Sequence, residues 1–139
     1  SNYFIRLIGG KMKDKLIELH KNSYSPYSHF RVSAIVLMKD GNTFNGVNVE
    51  NASYGASICA ERSAILSAIS AGYTKGDFKS LYVMCDNKKI GMPCFACRMV
   101  ISEFFDTDCE VICMNPDGEM EIHTVEELCP YPFSEEDLK

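Results

Sequence analysis

The chain has 139 residues, 46% of them hydrophobic and 24% charged, with a formal net charge of −5. That length suits one domain, and the apolar content excludes a disordered chain. Its lysines are scattered over 11–21, 75–79 and 88–89, which argues against a nucleic-acid partner, since such a partner needs a concentrated basic face.

Residues 1–139 read as one domain, with 1–11 set apart as a tag remnant or an extended N-terminus. The opening apolar run Tyr3–Ile8 contains Arg6. It is too short to span a bilayer or act as a signal segment, so no membrane partner is expected. KMKDKLIELHKN (11–22) puts Met12, Leu16 and Leu19 on one side at helical spacing and predicts an amphipathic helix with His20 on its surface. SYSPYSHF follows as a turn-rich segment around Pro26. The apolar run 31–39, the turn Asp40-Gly41-Asn42 and the segment 43–49 predict a hairpin. A polar loop (50–57) leads into an alanine-rich helix over 58–71, with Ile58, Ile65 and Ile69 on or near one side and Gly72 as its stop. Strands are expected at 80–86, 109–114 and 119–124, a helix at 94–105 behind Pro93, and one helical turn at 125–129. This alternation predicts an α/β fold, a three-layer α-β-α arrangement on a mixed five-stranded sheet.

The chain holds seven cysteines with no recognisable signal segment, which points to a reducing cytoplasm, where clustered thiols mean metal or catalysis before disulfides. Two motifs each open a predicted helix: Cys59-Ala60-Glu61 and Pro93-Cys94-Phe95-Ala96-Cys97. Alone, Cys94-x-x-Cys97 also fits a structural zinc knuckle or a redox pair. With Cys59 it offers three soft ligands, and a tetrahedral zinc held by three protein groups keeps a position for water. Three thiolates on a dication leave a charge of about −1. Helix N-termini and the neighbouring Arg62 and Arg98 are the visible offsets, either arginine being able to donate to sulfur. Glu61, two residues after Cys59, is placed to serve as a general acid–base without being a ligand. Cys85, Cys109 and Cys113 read as strand core, and Cys129 as structural.

These motifs, together with Tyr27-Ser28-His29-Phe30 and Asn48-Val49-Glu50-Asn51-Ala52-Ser53-Tyr54, resemble the cytidine deaminase family in its short, three-cysteine form. The likeness runs from about Tyr24 to Phe133. It implies one zinc ion per chain on Cys59, Cys94 and Cys97. It implies hydrolysis of cytidine and deoxycytidine to uridine and deoxyuridine plus ammonia, as in pyrimidine salvage, with Glu61 moving the protons. It further implies that Phe30 packs on the base, that Asn48 and Glu50 hydrogen-bond the sugar hydroxyls of a small pyrimidine nucleoside, and that the Ala60 N–H meets the base carbonyl. A homotetramer with shared active sites is implied as well, Tyr54 and Phe133 reaching across an interface. Phe95, Met99, Arg31 and Ser33 stand where the family usually has Gly, Gln, Pro and Gly. Two other readings stay open: a deaminase of another aminopyrimidine nucleoside, such as a nucleoside antibiotic, and a zinc-containing nucleoside-binding module without turnover.

Overall fold

The computed structural model describes residues 2–139, with side chains from Leu7 onward. Helix α1 (Asn2–His20) leads to strands β1 (Val32–Met38) and β2 (Thr43–Val47), helix α2 (Ala60–Ser70), strand β3 (Phe78–Cys85), helix α3 (Phe95–Phe104), strands β4 (Phe105–Met114) and β5 (Met120–Thr124), and the single turn α4 (Val125–Leu128). Helix α1 thus starts nine residues earlier and ends two residues earlier than its periodicity predicts. Strand β4 begins directly at the end of α3 rather than at 109. A final 3-10 turn, Glu135–Leu138, was not expected from the tail's prolines.

The five strands form one sheet in the order β2-β1-β3-β4-β5. Only β3 and β4 run parallel, joined through α3; the other pairs are antiparallel, so the sheet is mixed. Strand side chains alternate faces with period two, and both faces are covered. Ala34, Val36, Met38, Leu81, Val83, Val111 and Cys113 meet α2, α3 and α4. Ile35, Tyr82, Met84, Ile112 and Met114 meet Met12 and Leu16 of α1. This two-sided burial explains why β1, β3 and the second half of β4 read as near-continuous apolar runs, whereas the edge strands β2 and β5 do not.

Helix α2 sits on the sheet through small residues. Ala60, Ala64 and Ala68, four apart, are all fully buried. The isoleucines marked by the sequence are secondary: Ile65 is buried, Ile69 is half-buried, and Ile58 precedes the helix. Gly72, at φ +105°, ends α2 as expected. Its N–H goes to Ile69 O (3.0 Å) and that of Tyr73 to Ala68 O (3.2 Å), satisfying the last carbonyls of the helix.

His20 is not a surface residue: it is 8% exposed. Its Nδ1 lies 2.7 Å from Ser33 Oγ, and the Ser33 hydroxyl donates to Leu16 O at 2.8 Å. A hydroxyl has one proton, so Nδ1 is assigned as the donor to Ser33 and His20 as neutral. Its Nε2 is buried without a partner. Ser33, one of the departures from the family pattern, thereby ties the C-terminal turn of α1 to β1.

Burial holds the His20 pKa below its ordinary value; Asp86 opposes this shift and Arg31 adds to it. The unfolded chain takes up a proton near the usual histidine value of about 6.5 and the folded chain only below that, so the unfolded state binds more protons in between. Stability therefore falls as pH drops through this window. We expect urea unfolding followed from about pH 7.5 to about pH 5 to show this loss, and His20→Gln to flatten the slope. Parallel slopes for the two proteins would exclude His20 as its source.

Candidate active site

Cys59 and Cys94 are the N-cap residues of α2 and α3, both with extended backbone. The first turn of a helix leaves its N–H groups unpaired and favours negative charge, so two such ends face the sulfurs. Cys97, one turn into α3, is fully buried. The Sγ atoms of Cys59, Cys94 and Cys97 all lie within 4.8 Å of one another, and Cys59 Sγ is 3.7 Å from Cys94 Sγ. That spacing is far beyond a disulfide bond, but it matches the edge of about 3.8 Å of a tetrahedron with 2.3 Å zinc–sulfur arms. Donor chemistry and spacing both fit zinc. No fourth Cys or His joins the cluster among the described residues.

Arg62 donates from Nη2 to Cys59 Sγ at 3.4 Å. Arg98 does not contact sulfur. It donates from Nε to Pro93 O (2.7 Å) and from Nη1 to Leu128 O (3.1 Å), and its guanidinium lies 4.3 Å from the Phe95 ring centroid. Arg62 is thus the cation on the ligands, whereas Arg98 fastens the metal loop to the end of α4. Hydrogen bonds from Cys97, Arg62 and Cys94 draw the Cys59 thiol well down, against the effect of burial. The Cys97 thiol moves up, because it is the donor to Cys59 and is buried beside Glu61. Bound zinc would require all three as thiolates.

Glu61, in the first turn of α2, is 5% exposed. Burial pushes its carboxyl up to about 7 and the Cys59 charge adds to this, while its own backbone N–H and Arg62 pull the other way. Burial outweighs the helix end, so the group can both hold and release a proton near neutral pH. Ala60, the first residue of α2, is fully buried, and its N–H has no acceptor inside the helix.

A second segment is brought alongside by backbone pairing. Val49 exchanges N–H···O bonds with Ile58, both 2.9 Å, and Asn48 and Glu50 bracket Tyr24 through Tyr24 N–H to Asn48 O (3.0 Å) and Glu50 N–H to Tyr24 O (2.8 Å). Asn48 and Glu50 therefore run beside the residue that precedes Cys59. The Asn48 side chain is largely committed within the protein. Its Nδ2 donates to Phe30 O (2.8 Å), and its Oδ1 accepts from Val32 N–H (3.0 Å) and from the Ser23 hydroxyl. One N–H remains. Glu50 Oε1 accepts from the N–H groups of Tyr27 (3.0 Å) and Ser28 (3.1 Å), and its Oε2 accepts from Ser28 Oγ. Ser28 is the largest cause holding the Glu50 carboxyl below its ordinary range.

A cavity of about 310 Å³ is lined by Tyr27, Ser28, Glu50, Tyr54 and Ser57, at the small end of ligand sites (~300–1,000 Å³). Tyr54 lines the cavity of its own chain and meets Tyr27 edge-on at 6.0 Å. Phe133 is 64% exposed on the tail and does not join this cavity within the chain. Phe30, half-buried, is held through its carbonyl by Asn48. Phe95 and Met99, the departures near the metal motif, are 71% and 41% exposed and do not line the cavity. Sequence reasoning missed the parts of Tyr27, Ser28 and Ser57. Their only signal was membership of the motif around Phe30 and of the loop before Cys59.

Comparison with known proteins agrees with this geometry. Residues 10–114 match the model of the cytidine and deoxycytidylate deaminase zinc-binding region. The chain is 43% identical to the cytidine deaminase of Halalkalibacterium halodurans, covering 88% of this chain and 91% of that protein. It is 45% identical to a probable cytidine deaminase of Dictyostelium discoideum, over 90% and 86% of the two chains. The crystal structure of the Burkholderia pseudomallei cytidine deaminase superposes with a TM-score of 0.86 at 37% identity, over 89% of this chain and 98% of that one. With three thiols spaced for zinc, a buried glutamate beside them and this breadth of likeness, the chain belongs to the cytidine deaminase family of zinc-dependent hydrolases.

Proposed function

We propose that this chain hydrolyses cytidine and deoxycytidine to uridine and deoxyuridine with release of ammonia, as a step of pyrimidine salvage. The observation that carries the reading is the placing of Cys59, Cys94, Cys97 and the buried Glu61 at two adjoining helix N-termini. Zinc on the three sulfurs, when bound, lowers the pKa of a water and so makes a nucleophile available near neutral pH. Arg62 and the two helix ends offset the excess thiolate charge. Glu61 takes one proton from the attacking water and gives it to the ring nitrogen next to the amino-bearing carbon; it then takes the second from the newly added hydroxyl, as that oxygen becomes the product carbonyl, and passes it to the amine, which departs as ammonia. The Ala60 N–H holds the base carbonyl and Phe30 packs on the base. The remaining N–H of Asn48 and the remaining lone pair of Glu50 meet the sugar hydroxyls.

The exposed aromatic rings of Tyr54 and Phe133 support a homotetramer in which Phe133 completes a neighbour's site. No helix among the described residues is long and apolar enough to cross a membrane. The free state of all seven cysteines suits a cytoplasmic enzyme, a single catalytic domain working on a small nucleoside.

Zinc-loaded protein incubated with cytidine, deoxycytidine and cytidine monophosphate tests the reading through ammonia release. Turnover of both nucleosides, with the monophosphate far slower, is expected. Stoichiometric zinc with no turnover of any pyrimidine nucleoside would leave a nucleoside-binding module instead.

A further inference from the structure

Glu50 is half-buried at the cavity and is fixed there before any ligand arrives. A carboxylate offers about four lone-pair sites. Tyr27 N–H and Ser28 N–H take the two on Oε1, and Ser28 Oγ takes one on Oε2. The same Ser28 hydroxyl oxygen accepts from Phe30 N–H at 3.0 Å. Two of the three donors on Glu50 therefore belong to Ser28. His29, between Ser28 and Phe30, is held in the left-handed region at φ 56° with its N–H on Ser25 O (3.0 Å), and in this turn both Ser28 donors meet one carboxylate.

We propose that Ser28 is a positioning residue for substrate recognition. Its hydroxyl and N–H lock Glu50 so that a single lone pair of Oε2 faces the cavity, and selection for one ligand hydroxyl depends on Ser28. The proposal rests on the reading of Glu50 as a sugar-hydroxyl acceptor. Glutamate is among the side chains that lose most rotamer freedom on ordering. Ordering it in the free protein removes that cost from binding and aims the acceptor. Without the Ser28 hydroxyl the carboxylate keeps its two backbone donors on Oε1, but Oε2 is free to swing and to hydrogen-bond water.

The test is steady-state kinetics on cytidine and on 2′,3′-dideoxycytidine with wild-type protein, Ser28→Ala, Ser28→Thr, Glu50→Gln and the Ser28→Ala/Glu50→Gln double variant. Ser28→Ala should raise KM for cytidine about five- to tenfold, the weight of one ordinary solvent-accessible hydrogen bond, with kcat little changed. It should raise KM for the dideoxy substrate much less. Ser28→Thr should restore most of the cytidine KM, and the double variant should be no worse than Glu50→Gln. A KM rise equal on both substrates would assign Ser28 to the turn alone, and no rise would overturn the proposal outright. If Glu50→Gln itself fails to discriminate the two substrates, the sugar role of Glu50 falls, and that result is distinct from a failure confined to Ser28→Ala.

Discussion

Glu61→Gln is expected to lower kcat by about three orders of magnitude, within the ~10²–10⁴-fold that a positioned acid–base group supplies. Zinc stoichiometry and unfolding midpoint should be nearly unchanged. The amide matches the carboxylate in shape but cannot carry the proton, so the loss should appear in kcat and in kcat/KM together. Geometry makes the substitution clean. Glu61 stands in the first turn of α2 at 5% exposure. It is not one of the three clustered sulfurs, so its replacement removes no metal ligand. Its carboxyl is pushed up to about 7 by burial, which leaves both protonation states accessible where the reaction runs. The variant should still bind nucleoside, because Glu50, which lines the cavity, and Asn48, the other proposed sugar contact, belong to a different segment. A kcat within about tenfold of wild type would remove Glu61 from the proton path, and loss of zinc along with activity would make it a structural support.

The metal centre was legible because its signal is local. Cys-x-Glu and Cys-x-x-Cys each lie inside one helical turn, and the helix starts were marked by Pro93 and by the switch from the polar loop to an alanine-rich run. The sheet was legible for a similar reason, since apolar runs bounded by turn residues leave few alternatives. What escaped was set by contacts between distant segments. His20 sits at the end of an amphipathic pattern and reads as solvent-facing, yet Ser33, thirteen residues later, gives its ring a buried partner. Arg62 and Arg98 each follow a motif residue and looked equivalent, but Arg98 turns to the carbonyls of Pro93 and Leu128. Ser28 was visible only as part of the motif around Phe30, because its partner Glu50 lies twenty-two residues away. Each of these assignments depends on tertiary placement, which neither periodicity nor propensity encodes.

The same dependence gives the largest expected effect on the fold, at a residue with no side chain. Gly46 lies in β2 opposite Ala34 of β1, beneath the alanine stripe of α2. A Cβ at this position would stand 2.3 Å from Ala64 N and 2.4 Å from Ala60 O. Those two atoms are the donor and acceptor of an i→i−4 bond in α2, so the methyl would be driven into the helix backbone. No rotamer change can relieve a contact between a Cβ and backbone. Either α2 lifts from the sheet or β2 is displaced from β1. Overpacking of this kind costs about 3 kcal/mol or more, which lowers the melting temperature by roughly 10 °C for a chain of this size. Activity should suffer beyond the stability loss, since the end of α2 that must move carries Cys59 and Glu61. We expect Gly46→Ala to melt well below wild type and, at a temperature where it is still folded, to bind zinc more weakly and turn over more slowly. An unchanged melting curve would mean that α2 does not sit this close to β2, and the route by which the fold fixes the active-site helix would have to be redrawn.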